Sequence, residues 1–326
     1  MLIGHAEQVE TLRAAFESGR MHHAWLLTGR KGLGKTAFAR AAATWLLARA
    51  AGPQHGIGAG FDVAEEHPTA RLVAAGSHLD LRTLERIPHP VTGNLRAEIL
   101  IDQMVRRDAK IEPLRALFQT TPALSDWRVV IIDSLDEMNR NAANALLKHL
   151  EEPPPGTLFL CVSHAPGRLL PTLKSRCRRM AFRPLGDADV AAVLDQEAPQ
   201  LSIDDRDALV RIAGGVPGRA LRLAEAGIAK LETELAALAA SPGRALALAK
   251  SLSGKAALGR YEAFLELAPA ALAAAARSRH GPALARTLSA WERASALAAS
   301  AQGLQLDPQS VAFELAGLVA EAGQGA

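Results

Sequence analysis

The sequence predicts an α/β fold, a mainly parallel sheet flanked by helices over residues 1–183, followed by a small helical domain at 184–228 and an all-helical C-terminal domain at 229–326. Three observations point to it. Gly29-Arg30-Lys31-Gly32-Leu33-Gly34-Lys35-Thr36 is a complete G-x-x-x-x-G-K-T loop between an apolar run and a helix-like segment. Further apolar runs of strand length alternate with helical periodicity downstream of it, as in a doubly wound parallel sheet. From Pro184 onward the strand-like runs stop and Ala- and Leu-rich segments take over.

In chain order, residues 6–18 read as an amphipathic helix, because Val9, Leu12 and Phe16 recur at i, i+3 and i+7, and Gly19 marks the turn after it. Ala24-Trp25-Leu26-Leu27 reads as a strand ending at Thr28. Gly29 and Gly34 allow the backbone to curl until successive N–H groups face one anion, and the helix over 37–48, starting near Lys35, adds its positive dipole end. Lys35 then has the reach for β- and γ-phosphates, and Thr36 offers its hydroxyl to Mg²⁺. Gly29, Gly32, Gly34, Lys35 and Thr36 are therefore the candidate residues for ATP with Mg²⁺.

Residues 52–93 lack clear periodicity and are rich in Gly, Pro and His, which reads as an elaborated connection. Its histidines (His55, His67, His78, His89) are irregularly spaced and lack a cysteine partner, so they read as scattered surface residues and not as metal ligands. Val129-Val130-Ile131-Ile132 is a second strand, ending in Asp133, and a helix bearing Ala142, Leu146, Leu147 and Leu150 follows. An aspartate at that strand end reaches the Mg²⁺ held by Thr36, directly or through water, so Asp133 joins Thr36 as a candidate metal ligand. Leu158-Phe159-Leu160-Cys161-Val162 is a third strand, ending at Ser163-His164.

Beyond Pro184, segments at 190–194, 205–213 and 220–226 read as helices, with breaks at Gly214-Gly215, Gly227, Ser241-Pro242-Gly243, Gly281-Pro282 and Asp307-Pro308. The terminal stretch suits either a self-contained bundle or a packing surface for neighbouring subunits, and the sequence leaves both open.

Composition narrows the class. With 326 residues, 49% of them hydrophobic, the chain can bury a core and is not a disordered tail. A formal net charge of +3 permits contact with nucleic acid but lacks the dense basic stripe that would demand it. Cys161 and Cys177 form no C-x-x-C pair, which argues against a disulfide framework and a cysteine zinc site. No apolar stretch reaches membrane-spanning length, and Glu7 and Glu10 stand where a signal sequence would be basic, so a cytoplasmic location is expected.

Taken together, Ile3-Gly4-His5, the loop from Gly29 to Thr36, the strand ending in Asp133, Asn144-Ala145-Leu146-Leu147-Lys148-His149-Leu150-Glu151-Glu152-Pro153-Pro154 and Leu170-Pro171-Thr172-Leu173-Lys174-Ser175-Arg176-Cys177 resemble the clamp-loader branch of the AAA+ ATPases. The likeness covers residues 1 to about 225, including Gly214-Gly215-Val216-Pro217-Gly218-Arg219, which looks like the sensor 2 segment. It implies an AAA+ module, a helical lid and a helical collar. By this resemblance Arg176 acts in trans as an arginine finger on a neighbour's ATP, Ser163 falls near the sensor 1 position, and Arg219 sits over the nucleotide. The implied partners are gamma/tau-like motor subunits and delta-like subunits, with the sliding clamp and primer-template DNA met through the complex.

Two departures qualify what is carried over. AAA+ motors place a glutamate after the strand-end aspartate, and this chain has Ser134, too weak a base to activate water. Asp136 and Glu137, two and three positions further on a helix-forming turn, are expected to point elsewhere. Binding of nucleotide with little or no turnover follows. In addition, residues 51–128 contain no cysteine, so the four-cysteine zinc module of related subunits is absent or replaced. A stator subunit is the reading that accounts for Ser134 together with Arg176. An active clamp-loader motor is the alternative, and a stand-alone phosphate-loop kinase fits least, since the helical C-terminal half and the Ser-Arg-Cys motif do not suit it.

Overall fold

Apolar runs of the sequence become the middle of one sheet. The computed structural model describes residues 2–323 apart from 90, 105–112, 226, 241, 255–256 and 305. Strands β1 (Ala24–Thr28), β2 (Leu81–Leu84), β3 (Arg128–Ile132), β4 (Thr157–Ser163) and β5 (Arg178–Ala181) are parallel and lie in the order β2-β3-β4-β1-β5. Every position of β1, β3 and β4 is buried, which is why these strands run apolar without alternation: helices cover both faces.

The edge strands carry no such signal. β2 lies inside the segment read as a connection, which in fact holds both a helix and a strand. Asp80, at the foot of β2, is 2% exposed and accepts the N–H groups of Ala123 (2.6 Å) and Leu124 (2.8 Å), which ties the strand to the loop before β3. β5 turns only Met180 inward, so its basic residues hide it from a search for apolar runs. Those residues still pack: the Arg178 guanidinium lies 4.7 Å from the centre of the Trp25 ring, and Arg179 Nε donates to Thr28 Oγ1 at 3.2 Å.

The chain divides into two compact units, Met1–Asp189 and Val190–Ala326. In the first, the sheet is joined by α1 (Ala6–Glu17), α2 (Lys35–Ala51), α3 (Pro68–Ala74), α4 (Leu114–Phe118), α5 (Arg140–Glu151) and α6 (Pro171–Ser175). Asn139 caps α5 by accepting the Ala142 N–H (2.9 Å); Ala142, Leu146 and Leu150 then face the core, and Pro153 prevents continuation beyond Glu152. In α6, Pro171 opens the helix and Leu173 anchors it, only 2% exposed.

His67 and His78 correct the reading of surface histidines, for both are buried. Each ring accepts a main-chain N–H two residues on, His67 from Thr69 at the N-cap of α3 and His78 from Asp80, both at 3.2 Å. A buried imidazole is acceptable here because it satisfies a turn donor. Among the described residues no group of three or more His, Cys, Asp or Glu is placed to hold a metal ion, and no helix is long and apolar enough to cross a membrane.

Helix α7 (Asp187–Glu197) starts where the division falls, and the second unit continues with α8 (Ile203–Ala213), α9 (Pro217–Glu225), α10 (Ile228–Ala240), α11 (Ala245–Ser251), α12 (Leu258–Arg277), α13 (Gly281–Leu304) and α14 (Pro308–Gly323). Ser202 caps α8 by accepting the Asp205 N–H (3.1 Å), and Gly214 ends it in the left-handed conformation (φ 57°). Phe264, Leu272, Leu315 and Leu318 form part of the core of this unit, and buried alanines such as Ala294 and Ala316 allow its helices to approach closely.

Candidate nucleotide site

Loops at the carboxyl ends of β1, β3 and β4 meet at one end of the sheet, where open α/β sheets bind their ligands. After β1 the chain turns through the glycine-rich loop into α2. Gly34 is the N-cap of α2 with φ 81°, a left-handed conformation natural to glycine. At Gly29 the constraint is space: a Cβ there would stand 2.7 Å from the Phe182 carbonyl oxygen.

His5 buttresses this loop from below. Its Nε2–H donates to the Leu33 carbonyl at 2.7 Å, and its ring meets Phe182 edge-on with centroids 4.7 Å apart. Burial holds its pKa below the ordinary histidine value, which favours the neutral ring. In the sequence Ile3-Gly4-His5 stands out only by family resemblance, and its mechanical role is hidden there because the partner lies 28 residues away.

The Lys35 ammonium is folded back on the loop, donating to the carbonyls of Gly29 (2.7 Å) and Arg30 (2.6 Å). Burial lowers it to about 8, against the raising influence of Asp136 and then Asp133. Thr36 Oγ1 donates to Asp133 Oδ1 at 2.8 Å, so the two residues expected to share a metal ion are in direct contact across 97 positions of sequence. The donor set fits a magnesium nucleotide: backbone N–H groups at a helix N-terminus and an amine for phosphate, hard oxygens for the metal.

Ser134 follows Asp133 with φ 66° and ψ 63°, unusual for a residue other than glycine, and is 8% exposed. Glu137 turns to Arg86 (2.9 Å) and away from the loop. Asp136 does not: it accepts the His164 N–H at 2.8 Å, and its charge acts on both Lys35 and His164. The expectation that both carboxylates point elsewhere is thus corrected for Asp136, because the turn after Asp133 is a tight 3-10 helix, Leu135–Glu137, that swings it back. Ser163 is fully buried at the end of β4, paired in register with Thr28, and its Oγ has no hydrogen-bond partner. His164, one residue on, is the side chain whose charge state responds to Lys35, Asp136, Asp133 and Lys31; burial keeps its pKa low.

Arg176 caps the C-terminus of α6 at the surface, and Arg219 lies in the second unit, where its Nε donates to Glu266 Oε2 at 2.9 Å.

Residues 4–186 match the family model described as DNA polymerase III, delta subunit. The chain belongs to this family. Its five parallel strands in the order 5-1-4-3-2, followed by helices, are the α/β arrangement with helical C-terminal segments that the sequence predicts. Over 206 residues it is 35% identical to the DNA polymerase III subunit delta' of Pseudomonas aeruginosa, covering 63% of this chain and 57% of that protein. The delta' subunit of Escherichia coli is 32% identical over 214 residues, 66% of this chain and 58% of that one. The tau/gamma subunit of Haemophilus influenzae is 29% identical over 221 residues, 67% of this chain and 28% of that one. The matched stretch thus spans little more than half the length of the delta' relatives. A gamma subunit-related protein of Thermotoga maritima resembles the chain with a TM-score of 0.44 at 16% identity, over 97% of this chain and 100% of that one.

In this member of the delta-subunit family, then, Gly29, Gly32, Gly34, Lys35, Thr36 and Asp133 come together in one place. Ser163 lies buried in the sheet beside Thr28, the residue before the loop, whereas Asp136 and His164 face the site. Neither of these two announced itself, since the pattern of a strand-end motif says nothing about which side chain of the following turn folds back.

Proposed function

We propose that the chain is a stator of a DNA polymerase III clamp loader, a delta'-like subunit that helps load the sliding clamp onto primed DNA. It holds ATP with little or no turnover and supplies Arg176 to the ATP of a neighbouring gamma/tau-like motor; a delta-like subunit completes the set of partners. Family membership supports the complex, and one observation supports the stator role in particular: the phosphate loop is intact and Thr36 touches Asp133 at 2.8 Å, yet the next residue is Ser134.

The division of labour follows from the chemistry of each group. Loop N–H groups and the Lys35 ammonium would take the phosphates, and Thr36 and Asp133 would hold Mg²⁺, which neutralises charge between phosphates when bound. Ser134 offers a hydroxyl where a carboxylate would accept a proton from water, and loss of such a base typically costs 10²–10⁴-fold in rate. Arg176 has permanent charge and a planar fork of donors, suited to the charge spread over a transferring phosphoryl group. In this proposal residues 184–228 serve as a lid and 229–326 as a collar that holds the subunits together.

ATP turnover by the chain alone, then in a mixture with motor and delta-like subunits, clamp and primed DNA, tests the reading. Negligible turnover alone and a DNA-stimulated rate that drops with Arg176→Ala are expected. Robust turnover alone would return the chain to the motor class, and an unchanged rate with Arg176→Ala would remove the finger.

A further inference from the structure

Arg176 does not project freely from its helix. Its Nη2 lies 2.7 Å from Glu151 Oε1, while Nη1 donates to the Thr172 carbonyl at 3.0 Å and to Ser175 Oγ at 3.4 Å. Glu151 is the last residue of α5 and belongs to Leu150-Glu151-Glu152-Pro153-Pro154, a motif with no part in the nucleotide site described above. The two backbones are fixed with respect to each other, since Leu150 of α5 (1% exposed) and Leu173 of α6 (2% exposed) enter the same core cluster. Only side-chain torsions are free to open the pair.

We infer that Glu151 is a latch for the arginine finger: it holds and neutralises the guanidinium in the subunit on its own, and a neighbour's phosphate replaces the carboxylate on assembly. This rests on the reading of Arg176 as a finger in trans. While paired, the guanidinium presents little net charge to passing anions, so it does not capture free nucleotide or phosphate from solution. Both partners stay partly in water, with 33% of the Arg176 side chain and 48% of the Glu151 side chain exposed. Such a pair is screened and weak, and a triphosphate with several charges outcompetes one carboxylate. Glu151 acts through Arg176, so it positions the finger and does not itself meet ATP.

The test is a double-mutant cycle in the reconstituted complex: wild type, Glu151→Gln, Arg176→Ala and both together, with ATPase followed against ATP concentration. Glu151→Gln keeps the shape and removes the charge. It is expected to raise kcat/KM about two- to five-fold, the span of an exposed ion pair, through a lower KM at unchanged kcat. The gain should vanish in the Arg176→Ala background, shrink at high salt, and be absent in Glu151→Asp, which keeps the carboxylate. An unchanged thermal melt of Glu151→Gln shows that the fold is intact. If Arg176→Ala slows the complex but Glu151→Gln brings no gain, or brings the same gain without Arg176, the latch is wrong and the finger stands. If Arg176→Ala has no effect, finger and latch fail together.

Discussion

Raising the pH from 7 to 9 is expected to weaken nucleotide binding through one side chain, Lys35. Burial under the phosphate loop brings its ammonium down to about 8, even though Asp136 and Asp133 pull the other way. Phosphate charge beside the amine would raise that value again, so binding takes up a proton wherever the free amine is neutral. The sign follows: affinity is constant below about 8 and falls as the pH climbs past it. With a free value of about 8, roughly nine-tenths of the chains carry the charged amine at pH 7 and roughly one-tenth at pH 9, a drop of about tenfold in affinity. His5 and His164 lie below the ordinary histidine value and contribute no charge change in this window. The assay is equilibrium binding of a fluorescent ATP analogue with Mg²⁺, followed by anisotropy at several pH values. Lys35→Arg, whose charge persists, should flatten the profile and so report any slope from other groups. A flat profile in the wild type would refute the reasoning, for it would mean that the loop carbonyls and the two aspartates outweigh burial.

Three other outcomes follow from the same geometry. Gly29→Ala sets a Cβ 2.7 Å from the Phe182 carbonyl oxygen, so it should destabilise the first unit by about 1–3 kcal/mol in a thermal or denaturant melt and weaken nucleotide binding. Asp80→Asn replaces one of two acceptors by a donor that faces the N–H groups of Ala123 and Leu124, with an expected loss of about 1–3 kcal/mol in urea denaturation. Ser134→Glu restores a carboxylate after Asp133 and should raise the turnover of the isolated chain above background, up to the 10²–10⁴-fold that a general base supplies; no gain in a steady-state assay would place the defect elsewhere in the site.

How much of this was legible depends on how far apart the cause and the effect lie in the chain. The three central strands could be read because burial on both faces leaves a continuous apolar run. The edge strands could not, since β5 has one buried residue among exposed arginines and β2 has one buried residue in four, with its tie through Asp80 reaching a loop more than forty residues away. The phosphate loop was complete within eight consecutive residues, where local spacing dictates the chemistry. His67 and His78 misled because a histidine that satisfies its own turn looks, in sequence, like one on the surface.

The sequence by itself determined that a glycine-rich loop leads into a helix and that an aspartate ends a strand with a serine behind it. Each is a statement about neighbours along the chain, and backbone sterics and hydrogen-bond periodicity suffice for it. Only the tertiary structure decided that Thr36 meets Asp133, that Asp136 folds back to His164 while Glu137 leaves for Arg86, and that Arg176 rests on Glu151. Those contacts join segments brought together by sheet order and core packing, and their energies depend on burial and distance, quantities that exist only once the chain has folded.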